Sequence, residues 1–379
     1  IVIKGNNNEK LSGDATVNCS ANGEPTISFK SNAGNSITLE CNNTAINSAT
    51  ATDFWIALPS VTFSKGITVE IVTSVAPVEK KTSAPLTITR SKVKPMEVLT
   101  VKVDMEEELN IPDANFKKYL LANCDMNKDG RLTFSDVDGW NGSSLYKKFD
   151  LQDGGISSLK GIEYFITLDE LLCRVNYLYK LELYKNTALK RLTCAGNSLT
   201  TLDLSNNAAL RVLDCGNNNL TTLNLSKNTT LESLNCWYNR LTTLDLSNNT
   251  ALRKLKCFRN KLTTLDLSRN TALTSLNCSL NQLTTLNLSN STALTRLECN
   301  ENMLTSLDLN NNTALEYLDC NDNLLTTLDL RSNTALTYLY CNMPSLKTLY
   351  LKKGQRIYGI TYDRSTVYIN NNTEIVFVD

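Results

Sequence analysis

The sequence predicts a mainly β protein: a solenoid of about nine to ten 21-residue coils with short return strands rather than long helices, preceded by an antiparallel β-sandwich and a small helical cap. Three observations carry this prediction. Cys173, Cys194, Cys215, Cys236, Cys257, Cys278, Cys299, Cys320 and Cys341 follow one another every 21 residues without a slip. Around them leucines and asparagines recur at fixed posts. The chain before them alternates apolar and polar residues with no such period. The expected boundaries are 1–104 for the sandwich, 105–160 for the cap, 161–351 for the solenoid and 352–379 for a C-terminal β cap.

Residues 1–104 are rich in Thr, Ser, Val and Asn, with runs such as TISFK, SITLE, ITVEIVT and APLTITR. A period of two buries one face of each strand, and six to eight such strands predict a sandwich. The stretches FWIALPS (Phe54–Ser60), GITVEIVT (Gly66–Thr73) and LTITRSKVKPMEVLTV (Leu86–Val101) resemble the fimbrillin-like surface proteins of anaerobic Gram-negative bacteria. The resemblance covers one β-domain where fimbrillins have two. It therefore implies a stalk near a cell surface rather than pilus polymerisation.

The cap begins with IPDANFKKYLLANC, where Pro112 and Asp113 read as a helix start with Phe116, Leu120 and Leu121 on one face. Asp125, Asn127, Asp129, Gly130, Thr133 and Asp136 then match positions 1, 3, 5, 6, 9 and 12 of an EF-hand loop, with the Arg131 carbonyl at position 7. Three carboxylates and an amide offer hard oxygen donors for calcium. Asp136 stands where the EF-hand has a bidentate glutamate, and no second hand follows. The alternative is a cap turn held by Asp and Asn side chains on backbone N–H groups. No cofactor is required by either reading; structural calcium is the candidate. Ile156, Leu159, Ile162, Phe165 and Leu168 lead into the first coil.

Aligned on cysteine, each coil reads LxxLxCxxNxLTTLDLSxNxx, with Leu189, Leu192, Cys194, Asn197, Leu199, Leu202, Leu204 and Asn207 at the posts of one coil. No segment holds a 3.6-residue stripe, so the returns are not helices. This unit resembles the leucine-rich repeat family, and is most similar to the 21-residue bacterial forms with a cysteine at one core leucine, as in cysteine-ladder internalins. The resemblance covers roughly residues 111–379 and implies parallel strands with a variable face on the concave side. Ser291 replaces one asparagine, and Pro344 interrupts the other series. One coil cannot bury its own leucines, so neighbours stack into one core. At about 4.8 Å per strand, nine coils span roughly 40 Å, and each inward Leu→Ala change should cost about 2–5 kcal/mol. The ladder thiols read as small apolar core groups, with metal binding or disulfide exchange the sharper alternative. Cys19 and Cys41 stand outside the series, and nothing decides whether they pair. The segment IYGITYDRSTVYINNNTEIVFVD alternates as a strand and is expected to cap the far end.

Composition narrows the function. There is no histidine, which excludes a Ser-His-Asp hydrolase and a His-ligated metal centre. Basic and acidic residues balance at 38 each, against a nucleic-acid partner. No apolar run is long enough to span a membrane. The chain starts at Ile1, which reads as a mature or trimmed form with any export signal or lipid anchor upstream.

Variation between coils locates the candidate site. The TTLDLS half changes little; its outward row Asp203, Asn224, Asp245, Asp266, Asn287, Asp308 and Asp329 predicts bonds to threonines or backbone, or a row of cation sites. The cysteine strand varies freely. It carries an aromatic–basic patch of Trp237, Tyr238, Lys254, Lys256, Phe258 and Arg259. Next comes an acidic patch of Glu298, Glu301, Glu316, Asp319 and Asp322, with Tyr317, Tyr338 and Tyr340 near the far end. Aromatics and arginine anchor binding surfaces; drift on a solvated face is the alternative. The expected function is a monomeric, non-catalytic adhesion or binding protein, secreted or on the outer surface of a Gram-negative bacterium, that grips a protein or carbohydrate. A structural subunit of a surface fibre is the second reading. Glycoside hydrolysis by a pair such as Glu298 and Asp319 is the third, and needs a closed cavity.

Overall fold

The computed structural model describes residues 105–143, 147–355, 357, 369 and 372–379, together with the backbone of eight short strands before residue 89. It divides into two compact units: residues 1–107 with 133–138, and residues 108–132 with 139–379.

In the first unit the strands are β1 (Val2–Gly5), β2 (Asp14–Asn18), β3 (Thr26–Lys30), β4 (Ser36–Thr38), β5 (Val61–Phe63), β6 (Ile67–Val72), β7 (Pro77–Lys81) and β8 (Leu86–Ile88). All pair antiparallel: a sheet of order β4-β1-β6-β7, a β2-β3 pair and a β5-β8 pair. The alternating runs are thus strands. Phe54–Ser60, Cys19 and Cys41 lie outside the described residues.

In the second unit, α1 (Ala114–Cys124) starts where Pro112 and Asp113 direct. Asp113 Oδ1 accepts the N–H groups of Asn115 and Phe116, both at 3.0 Å, an N-cap. Its Oδ2 accepts from Ser157 N and Ser157 Oγ at 2.8 Å, which ties the helix to the first coil. The buried stripe is Phe116, Leu120 and Cys124, one turn and two turns apart; Leu121, expected on that face, is only half-buried. α2 (Phe134–Gly142) follows the loop; its residues 134–138 are counted in the first unit and 139–142 in the second. Trp140 packs on Phe149 and Phe165, which also pack edge-on against each other at 4.8 Å, closing the open end of the coil stack.

The cysteine strands are β9 (Lys148–Asp150), β10 (Glu170–Leu172), β11 (Arg191–Thr193), β12 (Val212–Asp214), β13 (Ser233–Asn235), β14 (Lys254–Lys256), β15 (Ser275–Asn277), β16 (Arg296–Glu298) and β17 (Tyr317–Asp319), with β18 (Thr327–Asp329) in a return and β19 (Tyr338–Tyr340) in the next coil. β9 to β17 and β19 form one ten-stranded parallel sheet, each strand shifted 21 residues from its neighbour from β10 to β19. In β10 to β17 and in β19 the middle leucine and the cysteine after the strand are buried; in β9 Phe149 and Leu151 fill these two posts. The returns differ from the prediction. They are extended but ladder as strands only at the end, where β18, β20 (Thr348–Lys352) and β21 (Glu374–Val378) pair in parallel. β21 lies within the C-terminal segment read as a strand and pairs with β20.

Two asparagine ladders hold the turns. Asn239 of the first donates to Cys215 O, Cys236 O and Trp237 O at 3.0 to 3.3 Å and accepts Leu220 N–H at 3.0 Å. Every polar atom of that amide is used, and one side chain stitches two coils. In the second ladder Asn249 donates to Leu225 O and Asn228 O. Its Oδ1, like that of Asn186, Asn207, Asn228, Asn270, Asn312 and Asn333, is buried without a partner.

Candidate binding face

From β10 on, each cysteine strand is three residues long, with its middle leucine inward and its two neighbours on the outward side, of which Thr193 alone is buried. Parallel register sets the outward residues in columns. One runs Ser233, Lys254, Ser275, Arg296, Tyr317, Tyr338; the other runs Asn235, Lys256, Asn277, Glu298, Asp319, Tyr340. The structure therefore brings the predicted basic, acidic and tyrosine residues onto one face, one coil after another.

Two residues beyond the cysteine, the chain turns in the left-handed region. Val175, Gly196, Asn217, Tyr238, Arg259, Leu280, Glu301 and Asp322 all have φ between 49° and 68°. Glycine takes this conformation freely and Asn or Asp tolerate it, whereas other residues lose about 1–2 kcal/mol. Tyr238, Arg259, Leu280 and Glu301 occupy it in consecutive coils.

Trp237 and Phe258 are half-buried and stack, with ring centroids 5.4 Å apart and planes 9° apart. The pyrrole side of the indole fills the space where a Cβ of Gly216 would lie. Trp237 is thus wedged between neighbouring coils, while Tyr238, 50% exposed, carries the open ring and has the Arg259 guanidinium 5.7 Å from its centroid. Lys254 and Lys256 are exposed beside them.

At the acidic end Glu298 is held by Arg296 Nε at 2.7 Å and by Asn277 Nδ2 at 2.9 Å. Arg296 lies over the Tyr317 ring at 3.7 Å, and Tyr317 meets Tyr340 at 5.7 Å and Tyr338 at 6.2 Å. Burial pushes the Asp319 carboxyl above its ordinary pKa, with Glu298 and Asp322 adding to the rise against the Asn321 N–H and Arg296. Asp214 is raised in the same way, by burial first. Two shallow hollows of about 40 and about 200 Å³ lie over the returns, lined by residues such as Asp245 and Ser268 or Asn287 and Asp308. Neither includes Glu298 or Asp319.

The return row settles on backbone bonds. Asp203, Asp245 and Asp266 each accept the N–H two residues on at 2.9 Å, which lowers their pKa, and Asn224 and Asn287 do the same at 3.0 Å. In the cap loop, Asp125 accepts Lys128 N–H and Gly130 N–H, Asn127 accepts Asp129 N–H, and Asp129 accepts Arg131 N–H. Asp136 accepts Thr133 N–H and its hydroxyl, a reach back across the first turn of α2. Among the described residues no three Cys, Asp or Glu side chains come together as a metal cluster. Burial pushes the ladder thiols up, to about 12 for Cys173 and Cys257. They are core groups, as the apolar reading requires.

Sequence reading passed over one group. Val175, Tyr177 and Tyr179 are exposed in the first coil, Tyr177 at 72%, and Met303 and Leu324 are exposed at the Tyr177 position of two later coils. A comparison of coils at that position alone would have found them.

The structure is similar to the functional domain of InlJ from Listeria monocytogenes, which includes a cysteine ladder: TM-score 0.58, 34% identity, covering 70% of this chain and 59% of that one. A leucine-rich repeat protein of Leptospira interrogans matches at TM-score 0.46 and 23% identity over 58% of this chain and 57% of that one. The internalin InlF of Listeria monocytogenes matches at 0.41 and 21% over 70% and 94%. The chain thus spans less than two thirds of the first two proteins. No family model and no curated protein matches it. The repeat region is an internalin-like leucine-rich repeat solenoid with a cysteine ladder. Among the described residues no helix is long and apolar enough to cross a membrane.

Proposed function

We propose that this chain is a non-catalytic binding or adhesion protein, displayed on or secreted from a bacterial cell, whose cysteine-strand face recognises a protein or glycan. The observation that carries the reading is the run of costly corners. Drift at a left-handed position favours Gly, Asn and Asp, as at Gly196, Asn217 and Asp322. Four consecutive corners instead hold Tyr238, Arg259, Leu280 and Glu301. Stability has been given up there to project side chains beside Lys256 and Glu298, and strain of this kind concentrates at functional sites. Glu298 and Asp319 stand on the outward side of three-residue strands whose outward neighbours are half-buried or exposed, which supports binding rather than hydrolysis. Similarity to the InlJ functional domain supports a bacterial surface location, and the fimbrillin-like stretches support a Gram-negative one.

The test is a glycan array together with immobilised matrix proteins, probed with the full chain. A Tyr238→Gly, Arg259→Gly variant should lose the signal while melting higher than wild type. Trp237→Ala with Phe258→Ala should also lose it. Full binding by both variants would sink this assignment of the site. The cap loop is proposed to take calcium through Asp125, Asn127, Asp129, the Arg131 carbonyl and Asp136, whose oxygen donors suit a hard cation. Calorimetric titration with calcium showing no heat, and no rise in melting temperature, would remove it.

A further inference from the structure

The outer face of the cysteine sheet carries an internal charge symmetry. Its middle coil carries no charge: it presents Ser275 and Asn277 on the strand and Leu280 at the corner, with Ser279 buried. One coil earlier stand Lys256 and Arg259; one coil later, at the same two positions, stand Glu298 and Glu301. Consider a two-fold axis lying along β15 in the plane of contact between two such faces. It reverses the order of coils, keeps the direction of the strands and turns the face over. It therefore sets Lys256 of one copy opposite Glu298 of the other and Arg259 opposite Glu301, twice by symmetry. We propose that the cysteine-strand face pairs with the same face of a second copy of this chain in this antiparallel register, covering the recognition surface until a ligand displaces it.

Three features support the pairing. The next coils outward extend it, since exposed Tyr238 falls opposite Asp322 and Asn235 opposite Asp319. Glu298 is already held in place by Arg296 and Asn277, so little side-chain freedom is lost when Lys256 arrives. Two matches are like-charged: Lys254 against Arg296, softened because Arg296 is bonded to Glu298 and lies over Tyr317, and Glu232 against Glu316, softened because Glu232 is paired with Arg211. No other register across this face unites opposite charges at both positions with a neutral centre.

The inference rests on this face being a recognition surface. Sedimentation equilibrium of the full chain tests it, in salt of roughly 50 and roughly 500 mM, where screening lengths differ severalfold. A dimer is expected at low salt and should weaken at high salt. Lys256→Glu with Arg259→Glu, and separately Glu298→Lys with Glu301→Lys, should each weaken the dimer by at least about tenfold. An equimolar mixture of the two variants should associate again, because the charges are complementary once more. A wild-type chain monomeric at about 100 µM in low salt, or a mixture that stays monomeric, would overturn the pairing. Ligand binding lost on Tyr238→Ala in a chain that stays monomeric would leave the proposed function intact and remove only the self-pairing.

Discussion

Glu301 shows most plainly what single residues contribute. It is exposed and holds φ 52° in a corner that asks for glycine. Glu301→Gly is therefore expected to stabilise the chain by about 1 kcal/mol in denaturant unfolding. This corner conformation was not legible in the sequence, where the position reads as free variation. The coil closure that imposes it comes from hydrogen bonds between coils, such as Tyr238 N–H to Phe258 O at 2.9 Å. The signal was present in Gly196, Asn217 and Asp322, residues that share only their tolerance of positive φ. Asp319 gives a second expectation. Its folded pKa is raised, so its protonated form is favoured by folding. The stabilising contribution is complete below the unfolded value and is lost as pH rises through the folded one. Asp319→Asn should therefore stabilise the protein at pH 7 and bring little change at pH 3, measured as melting temperature against pH.

Among elements, the glycine notch and the two ladders make contrasting predictions. Gly216→Ala would place a methyl in the space of the Trp237 indole. It is expected to cost about 1–3 kcal/mol and to red-shift tryptophan emission as the ring is pushed into water. Trp237 reads in the sequence as surplus to stacking, because a glycine one coil away leaves no periodic trace. Asn239 satisfies all its amide groups with four bonds, whereas Asn249 makes two and leaves an oxygen bare. Asn239→Ala should cost about 3 kcal/mol and Asn249→Ser roughly 1 kcal/mol; Ser291 already occupies that second ladder. The inward turn of the first ladder was legible, since a buried amide on a repeating turn has only backbone to bond. The weak laddering of the returns was not, because alternation marks an extended chain without fixing whether its neighbours bond.

For the whole molecule, the thiol column reports folding. Nine repeat cysteines are buried and free, and burial pushes their pKa up. Thiol reagents at pH 8 should leave them unmodified in the folded chain and label them only on unfolding, read by mass spectrometry. The solenoid and its register were legible at this scale because one period fixes every coil at once. The pairing of charges across the neutral middle coil was not, since it exists only once coils are given an order in space.

Coil stacking also makes length a stepped quantity. Because each coil bonds only its neighbours, deleting residues 268–288 joins like posts to like posts and should leave a folded, shorter chain. A deletion that is not a multiple of 21 residues throws every later leucine off the core. The spacing between Lys256 and Glu298 can thus change only by whole coils, so reach along this face is inherited as an integer.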